Sequence, residues 1–214
     1  MKTSTVYPKS IKSVNDFAVL KPGSNNAKLG FKITSNKWKG KRLYSLTLTE
    51  RETCPTSCHH WDDCYGNNMP FAHRFSTNGL EEKLETEIES LTKKHKEGIV
   101  IRLHVLGDFY SKEYVQFWQE MLLQFPTLCL FGYTANWEAT PIGREIYLLN
   151  IRFHDRCVIR YSKNEQYTSP NRYAGNQLFK GKGFDCPEQT GKLPSCAACG
   201  LCWSADRTVR FINH

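Results

Sequence analysis

Seven of the nine cysteines in this chain fall in two short segments more than a hundred positions apart. The first, CPTSCHHWDDCYG, carries Cys54, Cys58 and Cys64. The second, CPEQTGKLPSCAACGLCW, carries Cys186, Cys196, Cys199 and Cys202. Thiols set this densely are disulfide partners or metal ligands, and the choice governs everything else that can be read from the sequence.

The opening residues, MKTSTVYPKSIKSVNDFAVLKPG, lack the apolar core of a secretory signal. No run approaches the roughly 20 apolar residues that a membrane helix needs. An intracellular setting with no membrane partner is therefore expected, and there thiols stay reduced. Nine cysteines would also leave at least one unpaired in a disulfide scheme. Both points favour metal.

The spacing bears on which metal. Cys196, Cys199 and Cys202 follow C-x2-C-x2-C, which suits three thiolates wrapped around part of an iron–sulfur cube, with Cys186 as a fourth ligand. Zinc more often uses two separate C-x2-C knuckles and stands as the alternative. Cys54, Cys58 and Cys64 follow C-x3-C-x5-C and would hold three irons of a [4Fe-4S] cube, leaving the fourth open. His59, His60 and Asp62 between them could complete a zinc site, or serve as loop polarity around the thiols. The seven thiols fit two clusters, or one cluster that staples distant segments together. Cys129 and Cys157 lie in apolar runs and read as small core residues.

The rest of the chain alternates in type. KLGFKIT (28–34), RLYSLTLTE (42–50), IVIRLHVLG (99–107), LCLFGYTA (128–135) and CVIRYS (157–162) read as strands, and TVRFINH (208–214) as a last one. Leu80, Leu84, Ile88 and Leu91 recur at helical spacing up to a stop at Gly98. Ser111 can cap a helix that lays Tyr114, Phe117, Met121 and Phe125 on one face, and TPIGREIYLLNIRF (140–153) reads as a third helix. Strand–helix alternation between 43 and 162 implies a parallel sheet. Four strands are too few for an eight-fold barrel. The expected fold is therefore α/β, a partial (β/α) TIM-like barrel. Its expected parts are an N-terminal arm and hairpin (1–42), a barrel core (43–163) and a cysteine-rich segment packed on it (164–214).

In such a fold, polar residues at strand C-termini face the site. His104 and Asp108 are candidate catalytic residues, and Tyr133, Thr134, Asn136 and Arg160 are candidates for contacting a ligand. Arg160 suits a carboxylate or phosphate. A barrel with a structural iron–sulfur cluster and an esterase-like hydrolase site drawn from His59, His60, His104, Asp108 and Ser111 is a second reading, without a G-x-S-x-G elbow to support it. The net charge of +8 is scattered, as in KWKGKR (37–42) and KKHK (93–96), which fits a basic surface. A zinc-stapled nucleic-acid-binding module is a third reading. The substrate, small molecule or macromolecule, is not legible.

CPTSCHHWDDCYGNNMPFAHR, LHVLGDFYSKEYVQFW and the second cysteine segment, with a terminal His214, together resemble the phage-encoded "gene product eighty-eight" family. The resemblance covers nearly the whole chain from about residue 43. It implies a phage or prophage origin, an iron–sulfur protein and action in the cytoplasm of an infected bacterial host. A more distant resemblance is to radical S-adenosylmethionine enzymes, partial barrels with a three-cysteine loop after the first strand. It implies that Gly107, Asp108 and Tyr65 border a bound S-adenosylmethionine, with Asn136 and Arg160 as further cofactor contacts. The x5 gap before Cys64 departs from the x2 gap usual in those enzymes.

Overall fold

Each run of β-branched and aromatic residues in the middle of the chain forms a strand, and each amphipathic run crosses back over it as a helix. A computed structural model of the chain describes residues 3–162, 173–176 (backbone only) and 183–211. The strands are β1 (Ile11–Lys12), β2 (Lys21–Pro22), β3 (Arg42–Ser45), β4 (Arg74–Phe75), β5 (Ile99–Leu103), β6 (Cys129–Thr134), β7 (Cys157–Ser162), β8 (Tyr173–Asn176), β9 (Gly183–Asp185) and β10 (Thr208–Phe211). The helices are α1 (Leu80–Lys94), α2 (Lys112–Gln124), α3 (Pro141–Arg152) and two single turns, α4 (Cys196–Cys199) and α5 (Leu201–Ser204).

Among the described residues the main sheet runs β2-β3-β5-β6-β7-β8-β10-β9, and every ladder is parallel except the β2–β3 pair. The central strands β3, β5, β6 and β7 are adjacent in chain order, so the winding never reverses. Registers place Val100 beside Cys129 and Leu130 beside Cys157.

The two faces of the sheet are covered in different ways. Ile99, Ile101, Leu103, Leu130, Cys157 and Ile159 point to the helices, where Leu84, Ile88, Trp118 and Leu122 are fully buried against them. Each such side chain contributes roughly 1.5–3 kcal/mol by leaving water. Ser111 caps α2, its Oγ accepting from Tyr114 N at 3.0 Å, and Thr140 caps α3 ahead of Pro141. On the inner face, Leu43, Val100, Cys129, Phe131 and Val158 meet no long helix. Leu29, Ile33 and Trp38 from the lead-in cover them, together with Ala197 and Trp203 from the cysteine-rich segment. Trp203 lies 4.8 Å from the Phe131 ring and stacks on Trp38 at 5.3 Å.

That cover explains where the expected strands end. Residues 28–34 carry only the bridge Lys32–Arg42 and otherwise turn, with Gly30 left-handed at φ 77°. Their backbone serves the other cysteine segment instead. Cys196 N donates to Lys28 O, Ala197 N to Leu29 O, and Thr34 N to Ala197 O. The strand expected over 99–107 stops at Leu103, before the turn at Gly107, and α1 stops at Lys94 rather than at Gly98. TVRF of the last expected strand is β10, while residues 212–214, including His214, lie outside the described residues. Among the described residues no helix is long and apolar enough to cross a membrane.

Trp203→Ala would empty the centre of the inner face. We expect a loss of about 3–5 kcal/mol in urea unfolding, with faster protease cleavage around residues 190–205 than elsewhere.

Candidate metal centre

The first cysteine loop has almost no regular structure, so buried charge must hold it. Glu50, just before the loop, and Arg74, beyond it on β4, are fully buried and paired, with Arg74 Nε 2.7 Å from Glu50 Oε2. The rest of the Arg74 guanidinium donates to Ser10 Oγ and to the carbonyls of Gly66, Met69 and Ala72. Every donor of a buried guanidinium is costly to leave unmet, so these carbonyls are fixed in place. Arg51, left-handed at φ 67°, donates to Trp61 O, Ser4 O and Asn67 Oδ1. The three cysteines thus sit in a loop pinned from beneath by two arginines.

The second segment is pinned from the sheet. Ser195 caps α4, and the left-handed Gly200 turns the chain into α5. A Cβ on Gly200 would meet Asn36 Nδ2 at 2.2 Å, the same nitrogen that donates to Cys199 O. From β7, Arg160 is buried under this turn. Its guanidinium donates to the carbonyls of Leu201, Cys202, Ala205 and Arg207. From β6, Tyr133 Oη donates to Cys202 Sγ at 2.7 Å.

Both segments open onto one cavity of about 510 Å3 at the C-terminal ends of the parallel strands. Cys54, Cys58 and Cys64 line it, and so do Cys186, Cys196 and Cys202; Cys199 does not. Burial pushes the thiols of Cys54, Cys58, Cys64, Cys196 and Cys202 upward, Cys58 to about 11, and the Asp108 carboxylate raises Cys54 and Cys58 further. Such thiols stay protonated until a cation among them favours the thiolate. Among the described residues, no three His, Cys, Asp or Glu side chains converge as they would around a single ion. A tetrahedral zinc needs sulfurs roughly 4 Å apart, given Zn–S bonds of about 2.3 Å. A cube spreads its thiolates over separate iron corners.

The candidate residues divide. Tyr65, His104, Gly107 and Asp108 line the cavity; Asn136 and Arg160 do not. Gly107, at φ 82°, has a close-packing role, since a Cβ there would meet Leu48 Cβ and Thr53 Oγ1 at 2.6 Å. Asp108 accepts from Phe109 N, Thr134 Oγ1, Ala135 N and Asn136 Nδ2, joining the loops after β5 and β6. Burial lifts its carboxyl to about 6 against those four donors. His104 is lowered to about 3 by burial and by the Arg102 charge, so its ring is neutral. Its Nε2 pairs with Tyr114 Oη at 3.0 Å, and among the described residues its buried Nδ1 has no hydrogen-bond partner. Ser111 Oγ is engaged as a helix cap, so no Ser–His pair forms from these residues. His59, His60 and Asp63 line the cavity, with His60 paired to Asp63, while Asp62 does not line it. Cys129 and Cys157 are buried in the two cores as small apolar residues.

Sequence reasoning missed Glu50, Arg74 and Arg102. Arg102 lines the cavity from the middle of the apolar run IVIRL. A lone charge inside a buried strand was the available signal.

Fold and site together define a cysteine-rich protein on a mostly parallel, singly wound α/β sheet. The chain belongs to the family described as Gene product 88, whose model matches residues 18–185. No curated protein and no solved structure matches it, and these comparisons lend no support to a similarity with radical S-adenosylmethionine enzymes.

Two substitutions test how the first loop is held. Glu50→Gln strands the Arg74 charge and should cost about 3–5 kcal/mol in denaturant unfolding. Gly107→Ala, strained at positive φ and short of room, should cost about 1 kcal/mol or more and raise the alkylation rate of Cys54 in the metal-free protein.

Proposed function

We propose that this is an iron–sulfur protein that binds at least one [4Fe-4S] cluster in the cavity shared by its two cysteine segments, on a partial (β/α) barrel. One observation carries the reading. Six of the seven clustered cysteines, drawn from segments more than a hundred residues apart, line a single cavity at the C-terminal edge of a parallel sheet. That edge is where parallel α/β proteins place their chemistry. The unbroken chain order of β3, β5, β6 and β7 supports the partial barrel.

The donor set fits the group. Cys54, Cys58 and Cys64 would hold metal from the first loop, and Cys186, Cys196 and Cys202 from the second. Six thiols line the one cavity, and three of the second segment's follow the C-x2-C-x2-C spacing that suits an iron–sulfur cube. When bound, a cluster of this kind supplies one-electron transfer. The chain's own contribution is positional. Arg51 and Arg74 fix the first loop, Arg160 fixes the second, and the neutral His104 and Asp108 form the cavity wall between β5 and β6.

The test is anaerobic purification followed by iron, acid-labile sulfide and zinc analysis, with visible spectra. Iron and sulfide in equal amounts with a brown chromophore are expected; a colourless protein with stoichiometric zinc would overturn the reading. Cys58→Ser and Cys196→Ser, made separately, then count clusters. Partial iron loss in each indicates two clusters, and complete loss in either indicates one. Because metal binding is linked to folding, chelation of the loaded protein should lower its melting temperature by several degrees or more.

A further inference from the structure

Arg102 stands out among the cavity residues because its charge has no partner of the usual kind. It projects from β5 on the inner face, half-buried, in line with Val100. Its guanidinium lies 4.6 Å from the centre of the Tyr133 ring and 5.6 Å from that of Phe131, and it donates to the Leu103 carbonyl. Among the described residues no carboxylate stands at ion-pair distance from it. Four carboxylates line the same cavity: Glu50 pairs with Arg74, Asp63 with His60 and Asp108 with its four donors, and Glu188 makes no ion pair with Arg102 among the described residues. A cation sheltered from water in this way needs an anion nearby. The aromatic ring beneath it leads to one, since Tyr133 Oη donates to Cys202 Sγ at 2.7 Å. Cys196 and Cys202 line the cavity together with Arg102.

We infer that Arg102 and Tyr133 are positioning residues for the second cysteine group. Arg102 supplies the counter-charge to the thiolates of Cys196 and Cys202, Tyr133 hydrogen-bonds Cys202, and together they raise the reduction potential of the cluster those thiolates hold. The inference rests on the iron–sulfur reading. Its physical basis is general. Reduction adds one negative charge to a cluster, and a fixed cation and a hydrogen bond to a ligand sulfur stabilise the more negative state more. The same two groups would make a cluster held by the second segment more readily reduced than one without such a cation and hydroxyl beside its sulfurs.

The experiment is a mediated redox titration of the anaerobically loaded full chain, with dithionite supplying one electron per cluster, read by visible absorbance and electron paramagnetic resonance. Tyr133→Phe, Arg102→Gln and Arg102→Lys are compared with the unaltered chain, and iron per chain is counted in each. Tyr133→Phe removes a single oxygen and should load fully while titrating at a more negative potential. Arg102→Gln should shift further in the same direction, and Arg102→Lys should recover part of the shift by restoring charge. If Arg102→Gln fails to fold or load, Tyr133→Phe and Arg102→Lys still decide. Loaded variants that titrate at the unaltered potential would overturn the inference and leave the iron–sulfur reading standing. An unaltered chain without iron and sulfide would overturn both.

Discussion

Trp203, sealed between Phe131 and Trp38, is the contact on which the rest of the arrangement depends. A parallel sheet buries both faces, and here only one face receives crossover helices. The other is left to two pieces of irregular chain, residues 29–38 and 197–203, which also pair backbone to backbone. Burial of Trp203 therefore does more than fill space. It sets the second cysteine segment over the ends of the central strands, where the first cysteine loop already lies. Two segments distant in sequence meet because both are needed as a lining for the same sheet.

The loops that carry the thiols gain little from secondary structure, and buried arginines take its place. Arg74, Arg51 and Arg160 each collect several backbone carbonyls that would otherwise lack donors. Such arrangements contribute modestly to net stability, since charge desolvation offsets much of the attraction. Their effect is on geometry, because a guanidinium fixes several acceptors in one plane at once. That suits a cavity whose thiols are brought together from irregular glycine- and proline-containing stretches.

The helices and the central strands were legible because their burial is periodic. Leu80, Leu84 and Ile88 repeat on a helical face, and IVIRL and CVIRYS are apolar on both faces of a strand. The spacing of the thiols and the place of Asp108 after β5 drew attention to residues that share one cavity. Residues 28–34 misled because β-like residues there serve as a cover rather than a ladder, and nothing local distinguishes the two uses. Arg160 and Asn136 sit at strand ends as a ligand contact would, yet their donors are taken up by backbone carbonyls and by Asp108. Glu50 and Arg74 were passed over because a charged pair separated by 24 positions leaves no mark until the chain is folded.

The division of the inner face between the two ends of the chain has a consequence for synthesis. Val100, Phe131 and Val158 are complete as a surface once residue 162 has left the ribosome, but Ala197 and Trp203 follow some forty residues later. Through that interval the apolar patch on the central strands has only part of its lining, and β8, β9 and β10 have yet to join the sheet. The nascent protein is most vulnerable to self-association at this stage, and a break in translation between residues 162 and 197 would release a sheet that cannot close its own interior.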